Sequence, residues 1–186
     1  MQELVATAQR VLAGEEPEDF RKLTRRRRHA VVSWDMADGW AVVELVRRGP
    51  SGVPEDESIN SELVGPEWMP RGGGGGGGDD DPLADRPSEA ELGAPFRWRG
   101  SHSHNASAGR ILPLGGRQIR SERFDVAAEV TAIEVHGRGT PKRTVPVRRH
   151  GHAVVLWSSR WPPTIRFLGP GGQTLAERRP PRYWRM

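Results

Sequence analysis

Apolar positions at the start of the chain recur with the period of a helix. Leu4, Val5, Ala8, Val11 and Leu12 form one stripe on one face, and Gly14 closes it. Glu15 to Asp19 then place carboxylates at the start of a second short helix. Phe20 and Leu23 are its apolar anchors, and Lys22 and Arg25–Arg28 form its basic end. After His29 the period becomes that of strands. His29–Trp34 and Gly39–Val46 are rich in β-branched and aromatic residues, and the polar connection Asp35–Asp38 makes them a hairpin.

Residues 50–107 break this pattern. They hold Pro50, Pro54, Pro66, Pro70, Pro82, Pro87 and Pro95, the unbroken run Gly72–Gly78 and the acidic Asp79–Asp81. Consecutive glycines bring no side chain to bury and lose the most backbone entropy on ordering, so a largely flexible insertion is expected here. Trp68, Phe96 and Trp98 would pin its ends to a folded surface.

From about residue 108 strand patterning returns. Ile111–Leu114 leads it, and Phe124, Val126, Ala128 and Val130 alternate with polar or small residues. Ile133 and Val135 then sit on the opposite parity, which predicts a bulge or bend near Thr131–Ala132. Val145 and Val147 flank Pro146, as on an edge strand. Ala153–Trp157 is apolar on both faces, the pattern of an interior strand. Thr164–Leu168, the turn Gly169–Gly172 and Gln173–Ala176 read as a closing hairpin.

These elements predict a mainly β fold. It is a small antiparallel β-sandwich or distorted barrel, with one or two short N-terminal helices and a long disordered Gly/Pro/acidic loop. The chain divides into an N-terminal helical segment (1–28), a single β-rich domain (29–49 with 108–177), the insertion (50–107) and a basic tail (178–186). One domain is expected because the hairpin after residue 29 is apolar on both faces, and an isolated two-stranded unit is marginal in water. There is also an internal echo. His29-Ala-Val-Val-Ser-Trp34 is answered by His152-Ala-Val-Val-Leu-Trp157, each followed by a second tryptophan, Trp40 and Trp161. Two similar hairpins could stack as facing halves.

Composition narrows the chemistry. Only 35% of the 186 residues are apolar, and the chain has no cysteine, which excludes disulfides, thiolate metal sites and cysteine nucleophiles. No apolar run is long enough to cross a bilayer as a helix. The first residues lack a basic segment followed by an apolar stretch, so a cytoplasmic protein is expected. The formal charge of +4 hides a gradient. Residues 1–70 carry a net −4, and residues 82–186 a net +10, nearly all of it arginine, whose planar donor fork suits phosphate and carboxylate. That basic half either faces an acidic partner or nucleic acid, or lies against the acidic front half of its own chain.

Two His-x-His pairs, His102/His104 and His150/His152, have the spacing that presents two imidazoles on one strand face. If the pairs met, four nitrogens would suit zinc. No Gly-x-Ser-x-Gly elbow, phosphate loop or paired catalytic carboxylates accompany them. The leading reading is therefore a non-catalytic interaction or accessory module without a cofactor, contacting an acidic protein surface through a basic C-terminal β-rich face. The runner-up is single-stranded nucleic-acid binding, in which Arg148, Arg149, Arg160 and Arg166 grip phosphates and Trp157 and Trp161 stack on bases. A metal-dependent enzyme built on the four paired histidines is the third.

Overall fold

A computed structural model describes residues 2–77, 81–105 and 118–182. The helix α1 spans Gln2–Leu12 and buries Leu4, Ala8, Val11 and Leu12, the stripe the spacing predicts. The second helix does not form, since residues 15–28 carry no helical turn. The groups that would have started it are spent elsewhere. Arg148 takes the Glu16 carboxylate at 2.9 Å, the Pro17 carbonyl at 2.7 Å and the Asp19 carboxylate.

Strands β1 (His29–Ala37) and β2 (Trp40–Arg48) pair antiparallel around a two-residue turn, Asp38-Gly39, tighter than the four-residue connection expected. Both turn residues have positive φ, 54° and 77°, which matches the twist of a hairpin. Val32 bulges out of the β1 register.

The segment expected to be a flexible insertion is instead largely built into sheet. Strands β3 (Pro54–Val64) and β4 (Glu67–Gly77) extend the hairpin to a four-stranded sheet in the order β1-β2-β3-β4. Gly72–Gly77 pairs with Glu55–Asn60 as its edge. Gly73 shows how glycine is used there: a Cβ on it would lie 2.2 Å from the Ser58 carbonyl oxygen. The short helix α2 (Glu89–Leu92) is closed by a Ser88/Glu91 capping box. It precedes β5 (Phe96–Asn105).

β5 pairs with β6 (Gln118–Val126), which pairs with β9 (His152–Trp157), giving a three-stranded sheet in that order. The third sheet has the order β11-β10-β7-β8, built from β7 (Ala132–Gly137), β8 (Thr140–Pro146), β10 (Thr164–Leu168) and β11 (Thr174–Arg178). All pairings are antiparallel, and no closed barrel forms among the described residues. The parity switch before Ile133 marks the passage from the second sheet to the third rather than a bulge within one strand. β8, with Pro146, is an edge, and β10–β11 is the closing hairpin. The expected strand at Ile111–Leu114 and the aromatic tail residues Tyr183 and Trp184 lie outside the described residues.

Two strands have no solvent face. Ala41, Val43 and Leu45 of β2 pack with α1, while Trp40 and Val42 pack with Ile119, Val154 and Leu156. β9 turns Ala153, Val155 and Trp157 the other way, into a core with Phe124, Ile133, Val145 and Phe167. Phe96, Phe124 and Phe167 form the aromatic centre there, with Phe96 and Phe167 stacked at 4.1 Å. Trp40 and Trp157 are buried in these cores, whereas Trp34 and Trp161 are half-buried. The echoing segments are neighbours, but not as repeated hairpins. β1 runs parallel to β9, and β9 is followed by a turn into another sheet.

Candidate functional site

Part of the basic back half is paired with the acidic front half. Arg143 of β8 donates to both carboxylate oxygens of Asp35 in β1, at 3.1 and 2.6 Å, and also to the Leu156 carbonyl. Arg99 of β5 pairs with Asp56 of β3 at 2.9 Å, and Arg123 of β6 lies 3.6 Å from Glu44 of β2. Arg148 is buried against Glu16 and Asp19 with its guanidinium over the Trp34 ring at 5.3 Å. Arg149 pairs with Asp85, and Arg166 bridges Glu134 and Glu177 at 3.4 and 3.1 Å. Four arginines of the back half, Arg99, Arg123, Arg143 and Arg148, thus meet acids of the front half, while Arg149 and Arg166 meet acids of their own half. Arg148 is a buried clamp, and Arg149 and Arg166 are taken up at the surface by carboxylates of the same chain.

Burial shapes the ionisation of these acids. Desolvation pushes Asp35 above the usual carboxylate range despite the bonds from Arg143 and the N–H groups of Leu156 and Met36. Glu44 is likewise pushed up by burial, which outweighs Arg123 and Ser58. Burial would also raise Asp125, but hydrogen bonds from His152 and Arg97 and the charge of Arg99 hold it below its ordinary value.

The histidine pairs do not converge. His152 lies opposite Asp125 and His102 opposite Ser121, with β6 between the two strands that carry them. His102 Nε2 meets the Arg123 guanidinium at 2.6 Å, and burial followed by that charge holds the imidazole below its ordinary pKa. The His104 side chain lies outside the described residues. The second pair grips one turn: His152 Nε2 lies 2.9 Å from the Pro82 carbonyl, and His150 Nδ1 lies 3.3 Å from the Ala84 carbonyl. Between those carbonyls Leu83 is inserted beside Ala30, Val32 and Val46. Among the described residues no group of three or more His, Asp and Glu side chains is arranged to hold a metal ion.

An Asp125–His152 contact of 3.1 Å has the look of a catalytic pair. Its other ring nitrogen is committed to Pro82, so no imidazole nitrogen is left to receive a proton from a nucleophile. The cavity beside it, lined by Ser33, Glu44, Asp56, Arg99, Arg123 and His152, holds about 20 Å³, room for about one water. This is a polar seam between sheets.

A different group of residues stands open. Trp161, in the turn between β9 and β10, has the guanidinium of Arg182 at 4.5 Å, that of Arg138 at 5.1 Å and that of Arg160 at 5.9 Å. All three arginines are exposed, and none has a carboxylate partner among the described residues. The turn is fixed by Ser159, whose Oγ donates to the Arg138 carbonyl at 2.8 Å and accepts the Trp161 N–H at 3.1 Å. That bond ties the β9–β10 turn to the β7–β8 turn carrying Arg138. Pro180, buried after β11, brings Arg182 to the same place. Asp38 of the β1–β2 turn is engaged by the Ser158 hydroxyl at the start of this turn.

The pairing of Arg160 with Trp161 is visible in the sequence as adjacency. Arg138 and Arg182 carry no such signal, because they join the cluster only through strand connections. Trp157, the other stacking candidate, is 1% exposed. Comparison with protein-family models, curated proteins and solved structures gives no match to this chain. No helix among the described residues is long and apolar enough to cross a membrane.

Proposed function

We propose that the chain is a non-catalytic interaction module that engages an acidic protein segment through Arg138, Arg160 and Arg182 gathered on Trp161. The observation that carries this reading is the contrast in pairing. Arg143, Arg148, Arg149 and Arg166 meet carboxylates of their own chain, while these three exposed guanidiniums crowd one ring with none. Like charges held together in this way favour an anionic ligand, and guanidinium forks suit carboxylates. The shared core of β6, β7, β9 and β10 supports reading the last two sheets as a β-sandwich that keeps both turns in place.

Single-stranded nucleic acid is the second reading, favoured by Trp98, which is 47% exposed on β5. Fluorescence anisotropy separates the two. The probes are an Asp/Glu-rich peptide and an oligothymidylate of matched charge, each titrated into wild type and the Arg138→Gln/Arg160→Gln/Arg182→Gln variant. Tighter peptide binding that is lost in the variant supports the proposal. Tighter oligonucleotide binding that depends on Trp98 transfers the site to the second reading, and no binding of either at low ionic strength removes both.

A further inference from the structure

A second group of arginines lies at the other end of the β1/β9 pair. β1 and β9 run parallel, and Trp161 follows the end of β9, whereas Arg25 and Arg28 precede the start of β1. There Arg25, Arg28 and Arg48 line a cleft of about 420 Å³ whose other walls are Gly49, Pro50, Ser51 and Gly52. No acidic residue lines it, and these three arginines have no ion pair among the described residues. Acids border it without lining it: Glu55 and Glu57 each hold Arg47 at 2.7 Å, the Glu55 carboxylate lies against Gly49, and an adjoining cleft that shares Arg28 and Arg48 is lined by Glu3 and Glu57.

The walls of the cleft are fixed by backbone bonds. The Arg48 N–H donates to the Arg28 carbonyl at 2.8 Å, which keeps these two residues side by side beyond the β1–β2 register. Arg25 sits in a turn closed twice, by Thr24 N–H to the Arg27 carbonyl at 2.9 Å and by Arg27 N–H to Thr24 Oγ at 3.0 Å. The facing turn is closed by Gly49 N–H to Val53 at 2.8 Å and Gly52 N–H to Gly49 at 3.0 Å. Gly52 has φ of +87°, and a Cβ there would lie 3.3 Å from Arg48 Nη2, so this guanidinium lies across the turn. Ser51 Oγ accepts the Val53 N–H at 3.4 Å, which leaves its own proton to donate.

Three guanidiniums around one concave space repel each other unless an anion sits among them. Arginine at all three positions suits a group with several acceptor oxygens in fixed geometry, which can take forked donors from more than one side. The volume falls within the range of about 300–1,000 Å³ typical of small-molecule sites. We propose that this cleft binds a small phosphate-bearing ligand, with Arg25, Arg28 and Arg48 on the phosphate and the Ser51 hydroxyl as a further donor. This site is separate from the Trp161 cluster and does not depend on the reading given for it.

Isothermal titration of the full chain with inorganic pyrophosphate tests the proposal, with an oligothymidylate lacking terminal phosphates as the competing source of phosphate oxygens. The expected result is saturable binding of one pyrophosphate per chain. It should weaken about tenfold or more in Arg28→Gln/Arg48→Gln, and measurably in Arg25→Gln, whose residue lies in an exposed turn outside the core. It should be unchanged in Arg160→Gln. Absence of saturable binding at low ionic strength, wild-type affinity in both the Arg25→Gln and the Arg28→Gln/Arg48→Gln variants, or tighter binding of the oligothymidylate at these residues would each overturn it.

Discussion

The hydroxyl of Ser33 accepts the backbone N–H of Val154 at 2.9 Å, so a side chain of β1 takes the place that a neighbouring strand's carbonyl would fill. Two residues on, Asp35 Oδ2 accepts the Leu156 N–H at 2.7 Å. β9 is the edge of its own three-stranded ladder, and both N–H groups are buried. Left alone they would cost about 1–3 kcal/mol each. Ser33→Ala should therefore lower stability in urea by about 1–3 kcal/mol. Asp35→Ala should cost about 3–5 kcal/mol, because it also leaves the Arg143 charge buried without its partner. Losses below about 0.5 kcal/mol at both positions would show that β9 does not rely on β1.

Opposite pH responses are expected from Glu44 and Asp125. The Glu44 carboxyl lies above its ordinary 4.5 because burial outweighs Arg123. The folded protein then holds this proton more readily than the unfolded chain, and Glu44 weakens the fold as pH rises from the acidic range. Asp125 is held below its ordinary 3.8, since His152 and Arg97 outweigh burial, so its contribution is present above that value and lost as pH falls through its lower folded value. Glu44→Gln should gain stability relative to wild type as pH rises above about 4.5 towards neutrality. Asp125→Asn should cost most near neutrality and progressively less in acid. Denaturant melts across that range read both slopes, and parallel curves would contradict the assignments.

Gly151 separates the two histidines that grip the 82–84 turn, and it cannot be replaced cheaply. Its φ is +73°, and an added Cβ would lie 2.6 Å from both the Val126 carbonyl oxygen and Arg86 Cγ. The Gly151 carbonyl also accepts the Val126 N–H at 2.8 Å, so the backbone has little room to retreat. Gly151→Ala should destabilise by about 1–3 kcal/mol, measured by urea unfolding. A variant as stable as wild type would mean that the loop between β8 and β9 relaxes freely.

The parts of this fold that were legible in the sequence are those whose own side chains carry the pattern. The α1 stripe, the β1 and β2 runs and the doubly buried β9 are examples, because each supplies the apolar surface that holds it. β3 was not legible, since Pro-Glu-Asp-Glu-Ser reads as loop. It becomes a strand by extending β2, and its acids are answered by Arg47 and Arg99. β4 is further still from propensity: a Cβ on Gly73 or Gly75 would strike β3, whereas Gly74 and Gly76 face open space. The same division holds for the open arginines. Arg160 beside Trp161 is a local pattern, but Arg138 and Arg182 reach that ring only through turns separated by whole strands. The opposite signs of the two chain halves did signal the internal pairing, though not which arginines it would leave over.

Cleavage within Gly72–Gly77 should leave both pieces of the chain together. This strand is an edge without side chains, so it opens at little cost and should be among the first sites cut. The two pieces still share the Ser33–Val154 and Asp35–Leu156 bonds, the Asp35–Arg143 pair and the clamp of Arg148 on Glu16 and Asp19. They should coelute in native size-exclusion chromatography and separate only in denaturant. Separate elution, with each piece unfolding cooperatively by itself, would show two domains instead of the one proposed for 29–49 with 108–177.

Charge reversal at Arg148 and at Arg160 should give opposite kinds of defect. Arg148 is 8% exposed and holds Glu16, Pro17 and Asp19 while lying over Trp34. A glutamate there would put a buried negative charge against the carboxylates of Glu16 and Asp19, which are themselves open to solvent, and would lose the three bonds Arg148 makes, a cost of about 1–3 kcal/mol. Arg148→Glu should therefore unfold at markedly lower urea, and any loss of ligand binding should follow from that. Arg160 is exposed, lies over the Trp161 ring, and has no carboxylate partner among the described residues. Arg160→Glu should keep the wild-type urea midpoint yet weaken binding of the Asp/Glu-rich peptide, because it puts an anion among the remaining two guanidiniums. Measuring midpoint and affinity on the same samples distinguishes the roles. An Arg148→Glu protein with native stability and selectively lost affinity would return the binding face to Arg148 and remove the Trp161 cluster from consideration.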